Sequence, residues 1–514
     1  MTSNRLPVTI GRGGRKIERS SGGLVSALDP ALREIGGTWV GYPGSVRKVD
    51  CERLRRELGY SVAPVFLAPA QVRGYYHGFS NGTLWPLFHS LVGHVKLEPR
   101  DWRTYEAVNQ HFAAVTASVA RTADLIWIHD YHLMRAGSHL RERLPDARLA
   151  FFLHIPFPPH DVYRILPWYG PLLQGLLACD LVGFHCPSHA INFLDCAQRL
   201  LGAEVDRAAG LIQHAGRTVR VQVFPLGIDF EAFHARARES ERPAKAPPQR
   251  TILGVDRLDY TKGIPERIRA FELLLKRHKQ YRGKVSLVQL AVPSRGEMPE
   301  YQALKREIDE LVGRVNGSFA TCDWTPVQYL HHSVTPTRLA AMYRDADVAL
   351  VTPLRDGMNL VAKEYVACQV DEPGVLILSR LAGVAETMHE ADALLVNPYN
   401  VEGIAQAMHR ALTMRRSERA ARIARLQEKD RANDVFRWLE DFLTAAFEAP
   451  PQASRQIATS ELGACLESFA RGREIAVFLD FDGTLAPIVE HPAEATMPPE
   501  TVEALKACAA RSDT

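Results

Sequence analysis

Five short, unbroken apolar runs constrain this chain most: Leu125–Ile128, Leu149–Leu153, Leu181–Phe184, Ile252–Val255 and Val348–Val351. A strand that is apolar at every position has no solvent face, so runs like these belong to parallel sheets covered on both sides. Val219–Val223 and Val285–Leu290 read as further strands, and helical patterns fill the intervals, which makes the fold class α/β. With 514 residues the chain is long enough for about three domains. In open parallel sheets ligands bind beyond the carboxyl ends of the strands, so the residues that follow each run are the ones to inspect.

Two of those runs lead into stretches rich in chemistry. Ile252–Val255 is followed by Asp256-Arg257-Leu258-Asp259-Tyr260-Thr261-Lys262-Gly263 and then Ile264-Pro265, a favoured helix opening. Arg257 and Lys262 thus place two fixed positive charges beside free helix N–H groups, which suit anions. Val348–Val351 leads to Arg355-Asp356-Gly357-Met358-Asn359, with a helix expected from about Leu360 and Glu364 one turn along on the same face. Taken alone, Arg257 and Lys262 read as a solvated loop. The two stretches together point to a phosphorylated ligand.

Other residues fall at strand ends in the same way. Asp130 follows Leu125–Ile128 and His154 follows Leu149–Leu153, although a single Asp or His there serves equally as a cap or a satisfied core group. The stretch Tyr75–Pro86 mixes aromatic and polar side chains at no clean period, which fits a pocket wall better than a helix face. Gly22-Gly23 precede a helical spacing of Leu24, Leu28 and Leu32, and a glycine pair there serves as a plain turn or lets a backbone approach a phosphate.

Hydrophobic residues make up 46% and charged residues 24%, an ordinary globular composition, and a net charge of +3 gives no case for nucleic acid or an acidic membrane surface. The eight cysteines form no CxxC pair and read as reduced thiols of a cytoplasmic protein. The longest apolar stretch, Leu172–Phe184, is broken by Asp180, so neither a signal peptide nor a membrane span is expected. Partners are expected to be small molecules, with a homo-oligomer left open.

The strings VDRLDYTKG (255–263) and LVTPLRDGMNLVAKEYVA (350–367) resemble those of trehalose-6-phosphate synthases, retaining glycosyltransferases made of two facing Rossmann-type domains, the GT-B architecture. The resemblance runs to about Phe447. It implies an acceptor-binding domain over 1–228 and a nucleotide-sugar-binding domain over 229–447, whose last helix packs back on the first domain. It further implies transfer of glucose from UDP-glucose to glucose 6-phosphate, with front-face attack, no enzyme nucleophile and no metal or other cofactor. Arg257, Lys262 and the helix start at Leu360-Val361 would meet the charge developing on the diphosphate. Asp356 and the backbone of Gly357, Met358 and Asn359 would hold the glucose, His154 would contact it, Glu364 would bind the ribose, and the Gly22-Gly23 loop would close over the phosphates. On the acceptor side the resemblance assigns Arg5, Tyr76, Trp85, Asp130 and Arg295, with Trp39 as a further wall residue. Only Met1-Thr2 precede Ser3-Asn4-Arg5, so the first strand is expected to be stunted or missing.

Two other readings share these motifs. A glucosylglycerol-phosphate synthase would keep the donor residues and differ in the acceptor pocket. A catalytically silent regulatory subunit should lose Arg257, Lys262, Asp356 or Glu364, and all four are present.

After a linker over 448–472, Ile475–Thr484 resembles the opening strand and nucleophile loop of haloacid-dehalogenase-type phosphatases, with Asp480 as nucleophile and Asp482 as acid and base. The segment 473–514 is therefore read as a truncated phosphatase fragment. One helix is expected, Thr501–Ala509, and no phosphatase activity, because the chemistry also needs a Mg²⁺ ion, a further acidic ligand and a basic residue held together.

Overall fold

The computed structural model describes residues 1–10, 17–19, 28–29, 32–33, 36–44, 49–121, 124–241, 250–448 and 496–509. Two compact units are present, Met1–Gln452 and Ala453–Thr514. In the second unit the described part centres on one helix, Pro499–Ala509. Asp480 and Asp482 lie outside the described residues, as do Gly22 and Gly23.

The first unit contains β1 (Thr2–Arg5), the hairpin β2 (Val8–Ile10) and β3 (Ile17–Arg19), β4 (Thr38–Tyr42), β5 (Ser61–Pro64), β6 (Leu125–His129), β7 (Arg148–Phe152), β8 (Leu181–Phe184), β9 (Glu204–Asp206), β10 (Leu211–His214) and β11 (Arg217–Val223). These are followed by β12 (Arg250–Arg257), β13 (Val285–Val292), β14 (Val327–Leu330), β15 (Val348–Val351), β16 (Val375–Ser379) and β17 (Leu394–Val396). One sheet has the order β5-β4-β1-β6-β7-β8-β11-β10-β9 and the other β14-β13-β12-β15-β16-β17. Leaving the hairpin aside, both follow the 3-2-1-4-5-6 order of the doubly wound fold, the first extended by β11 and two antiparallel edge strands. All five apolar runs are strands in these sheets. The order reverses between β1 and β6 in one and between β12 and β15 in the other, which is where such folds bind ligands.

The first strand corrects an expectation. β1 is short but present and central, pairing in parallel with β4 through Thr2↔Val40 and Arg5↔Tyr42 and with β6 through Thr2↔Ile128. Its polar side chains are buried because each has a partner. Thr2 Oγ1 lies 3.0 Å from Thr116 Oγ1, Trp39 Nε1 donates to Ser3 Oγ at 2.8 Å, and Tyr75 OH donates to Asn4 Oδ1 at 3.1 Å. A strand built this way carries no apolar signature.

The stretch Val72–Leu84 is a π-helix of 13 residues, running into a short α-helical turn, Trp85–Phe88. Its i→i+5 bonding puts Tyr75, Phe79 and Leu84 on the core side, a spacing that no 3.6-residue template matches.

The chain passes between the two sheets near Ile228 and returns near Asp434. Val435 N–H donates to Ile228 O at 3.1 Å, and Gly227 lies so close to the backbone of Asn433 and Asp434 that no Cβ would fit. The returning helix, Val435–Glu448, buries Val435, Trp438, Phe442 and Ala445 against the first sheet. The ring of Phe442 stacks on Trp127 at 4.2 Å and meets Phe224 edge-on at 4.9 Å. The apolar face is therefore centred on Trp438 and Phe442, with Leu439 and Leu443 at its half-buried margin rather than at its middle. A helix that apolar spacing does not reveal, Arg416–Ala432, precedes it, with Arg422 and Asp430 among its buried residues. Among the described residues no helix is long and apolar enough to cross a membrane.

Candidate active site

The loop after β12 is held from below. Arg267, on the helix Ile264–Arg277, pairs with Asp256 at 2.6 Å with both side chains buried, and its Nη2 donates to Lys262 O at 3.2 Å. Lys262 is itself buried, not solvated, and its Nζ lies 2.6 Å from Asp356 Oδ2. Asp356 Oδ1 accepts from Gly357 N at 3.0 Å, and Oδ2 accepts from Asn359 Nδ2 at 2.9 Å. Burial alone would raise the Asp356 carboxyl, but Lys262 and Asn359 outweigh it and hold it below its ordinary value. Asn359, at φ 73°, caps the helix Leu360–Ala367 by accepting from Ala362 N at 3.3 Å. Arg257 differs from Lys262: it ends β12 exposed, with its guanidinium carbon 5.6 Å from the Trp85 ring centre.

The opposite wall comes from the first sheet and the π-helix. Arg5, at the end of β1, sits 5.5 Å from the ring centres of both Tyr42 and Tyr76. Tyr76 stacks on His132 at 5.7 Å and 8°. Arg295 reaches over from the second sheet, 4.2 Å above Trp85, with Nη2 donating to Tyr131 OH at 3.2 Å. Arg295 Nε and both ring nitrogens of His132 are buried and make no hydrogen bond within the protein, although His132 Nδ1 lies 3.8 Å from Asp130 Oδ2. A group with several oxygens could use the Arg295 Nε–H.

Asp130 and His154 join the two walls. Asp130 has φ 74° and ψ 165°, a region that non-glycine residues rarely occupy, and its Oδ1 accepts from His154 N at 3.2 Å. Burial pushes the Asp130 carboxyl up to about 6, despite the amides of Tyr131 and His154 and the charges of Arg257 and Arg295. Burial, and then His129, drive the His154 imidazole well below its ordinary value, so it is neutral; its Nε2 lies 3.1 Å from His129 Nδ1. Gly357 backs onto the His154 carbonyl so tightly that a side chain there would collide with it. Three of the five described non-glycine residues with positive φ, Asp130, Arg295 and Asn359, lie in this cleft, the kind of place where backbone strain accumulates.

Further contacts hold the walls together: Arg355 Nη1 donates to Ser90 Oγ at 2.8 Å, and Lys96 Nζ lies 2.5 Å from Glu300 Oε1. Glu386 sits at the amino end of the helix Pro187–Leu201, accepting from Ser188 N at 3.2 Å and from the Ser188 hydroxyl.

One expected residue stands differently. Trp39 does not line the cleft; it is fully buried behind β1, stacked on Tyr60 and donating to Ser3 and to Arg5 O, so it supports Arg5 from the far side. The Met358 side chain lies in the core of the second domain, leaving only its backbone to face a ligand. Glu364, half-buried, accepts from Tyr343 OH at 2.9 Å and is raised by burial above its ordinary value. Leu360 and Val361 are half-buried at the helix start. Residues that the sequence reading passed over include Asp259, Tyr131, His132 and Tyr301. Asp259 stands between Arg257 and Lys262 in the string already singled out, and an acidic residue between two bases was the available signal.

The sequence pattern of glycosyltransferase family 20 matches residues 1–448. A bifunctional trehalose-6-phosphate synthase/phosphatase from Thermoproteus tenax is 41% identical over 100% of this chain and 73% of its own length. A trehalose-6-phosphate synthase from Mycobacterium avium is 43% identical over 88% of this chain and 96% of its own. Among solved structures, an α,α-trehalose-phosphate synthase (UDP-forming) from Burkholderia xenovorans in complex with glucose-6-phosphate superposes with a TM-score of 0.79 at 37% identity, covering 87% of this chain and 98% of the other. A protein from E. coli bound with UDP-2-fluoro glucose gives the same TM-score, 0.79, at 36% identity and the same coverage, 87% and 98%. On the match over its first 448 residues and on these identities, the chain belongs to glycosyltransferase family 20.

Proposed function

We propose that this chain transfers glucose from UDP-glucose to glucose 6-phosphate with retention, releasing UDP and trehalose 6-phosphate. The observation that carries the reading is the meeting of two walls: Arg5, Tyr76, Trp85 and Arg295 converge on one side of the cleft, and the Lys262–Asp356 pair closes the other. The first set suits a phosphosugar, with aromatic faces for the ring and guanidinium groups for the phosphate. The second suits a nucleotide sugar, because breaking the glycosidic bond leaves growing negative charge on a diphosphate. Arg257, Lys262 and the N–H groups opening the helix at Leu360 and Val361 meet that charge in a preorganised site, an effect worth about 3 kcal/mol per well-placed donor. Asp356 with the backbone of Gly357, Met358 and Asn359 holds the glucose, His154 contacts it as a neutral imidazole, Asp130 takes acceptor hydroxyls and Glu364 the ribose. The family resemblance assigns Gly22 and Gly23 to the donor phosphates.

The same reading assigns 1–228 to acceptor binding and 229–447 to donor binding, and places the enzyme in the cytoplasm with small molecules as partners. Incubating the protein with UDP-glucose and glucose 6-phosphate and identifying the product by NMR tests it. An α,α-linked disaccharide phosphate is expected. Product with glycerol 3-phosphate instead would make it a glucosylglycerol-phosphate synthase, and substrate binding without turnover would leave a regulatory subunit. Calorimetry with UDP-, GDP- and ADP-glucose settles the nucleotide.

For the segment 473–514, the motif Asp480-Phe481-Asp482-Gly483-Thr484 supports an opening of haloacid-dehalogenase type, and the name of the Thermoproteus relative fits it. Phosphate release from trehalose 6-phosphate with Mg²⁺, compared with Asp480→Asn, measures whether this segment hydrolyses anything.

A further inference from the structure

The Asp259 carboxylate is fully buried and takes hydrogen bonds from both domains. From the first, Trp85 Nε1 donates to Oδ1 at 3.3 Å. From the second come Thr261, Arg295 and Tyr301.

 

Thr261 N donates to Oδ1 at 3.0 Å and the Thr261 hydroxyl at 2.9 Å, while Oδ2 accepts from Arg295 Nη1 at 3.1 Å and Tyr301 OH at 3.0 Å. Burial alone would raise this carboxyl, but Arg295, Arg257 and Lys262 outweigh it and hold it at about 2, so it is ionised at any working pH. Its charge sits among three cations that would otherwise repel one another.

We propose that Asp259 is a positioning residue, which aims Arg295 of the second domain at the acceptor phosphate and ties that arginine to Trp85 of the first. This rests on the reading of the cleft given above. Arg295 is long, and its backbone stands at φ 47°, so its direction must be set by what grips its head. Asp259 and Tyr301 both bond to Nη1 and Tyr131 bonds to Nη2, which leaves the buried Nε–H without a partner and free for a ligand oxygen. Because Asp259 Oδ1 also holds the Trp85 indole, the guanidinium and the aromatic wall that it covers are fixed by one carboxylate. Capture of the phosphate is thereby coupled to the approach of the two domains.

The test combines kinetics with calorimetry of glucose 6-phosphate binding. Asp259→Asn keeps the shape but loses the charge that grips Arg295. It should raise the KM and Kd for glucose 6-phosphate by about tenfold, with the KM for UDP-glucose changed by less than about twofold. In an Arg295→Ala background the same substitution should add less than about twofold, because its target is gone. An unchanged acceptor Kd in Asp259→Asn, equal losses for both substrates, or full additivity with Arg295→Ala would each overturn the proposal. Should Asp259→Asn fail to fold, Tyr301→Phe removes one donor from the same carboxylate. It should raise the acceptor KM by about threefold, an effect that disappears beside Arg295→Ala, and no effect would overturn the proposal as well. If the unaltered protein neither binds glucose 6-phosphate nor makes the product, it is the reading of the cleft that fails.

Discussion

Lys262 Nζ lies 2.6 Å from Asp356 Oδ2, joining the loop after β12 to the loop after β15 by an ion pair that is nearly buried. Arg257, five residues earlier in the same loop, is exposed. The two cations therefore separate in their effects. Lys262→Ala should lower turnover by roughly 10²- to 10³-fold and also lower the melting temperature, because it leaves a buried carboxylate unpaired. Arg257→Ala should lower turnover by a similar factor with the melting temperature almost unchanged. Kinetics and thermal melts on the two variants check this split.

Asp130 should set the acid limb of the pH profile. Its carboxyl is raised from 3.8 to about 6. If its ionised form holds the acceptor, kcat/KM for glucose 6-phosphate should rise as pH passes through about 6, and Asp130→Asn should flatten that limb. The stability effect has the opposite sense. A carboxyl raised in the folded state favours folding while protonated, so its contribution is fully present below pH 3.8 and is lost as pH rises through about 6. Asp130→Asn should accordingly stabilise the protein at pH 7 relative to pH 4, as read by denaturant melts.

Tyr76→Phe should act on the acceptor alone. Its ring keeps the stack on His132, and only the hydroxyl is lost. The KM for glucose 6-phosphate should rise by about tenfold with the donor KM unchanged, as measured by steady-state kinetics with each substrate varied in turn.

Trp39→Phe tests the reassignment of that residue from wall to support. Losing the indole N–H to Ser3 and part of a fully buried ring should cost about 2 kcal/mol in denaturant unfolding. Donor KM should not change, and any loss for the acceptor should be smaller than that of Tyr76→Phe.

Glu386→Ala removes a carboxylate from the amino end of the helix Pro187–Leu201, one of the contacts between the two walls of the cleft. A cap of this kind is worth about 1 kcal/mol, so the Kd for UDP-glucose should rise by about fivefold in calorimetry, and the radius of gyration from X-ray scattering should increase.

How much of this was readable in advance divides along physical lines. Strands buried on both faces announce themselves, which is why β6, β7, β8, β12 and β15 and the loops after them could be placed from apolar runs alone. β1 could not, because Thr2, Ser3 and Asn4 are buried through hydrogen bonds to partners more than 30 residues away, such as Trp39, Tyr75 and Thr116. The π-helix escaped because its spacing matches neither of the usual periods, and Arg416–Ala432 escaped because its buried face includes Arg422 and Asp430. In the site itself, charged residues at strand ends were visible as candidates. Trp39 was misread, and the burial of Lys262 was not foreseen, because burial behind or within a loop is decided by distant chain segments; Asp259 was passed over because its partners come from two distant parts of the sequence, Trp85 in one and Arg295 and Tyr301 in the other.

The helix Val435–Glu448 has a consequence for how the protein is made. Phe442 and Trp438 complete a core whose other half is Trp127, Phe152 and Phe224, and Arg148 Nη1 donates to Phe447 O at 2.6 Å across 299 residues of chain. Burying Phe442 alone contributes roughly 2 kcal/mol. On the ribosome, where domains generally fold in order of synthesis, the amino-terminal domain must therefore wait. A nascent chain stalled at residue 430 should leave the face of Trp127 open to proteases and chaperones, and release of the last helix should close it. The domain translated first is sealed last.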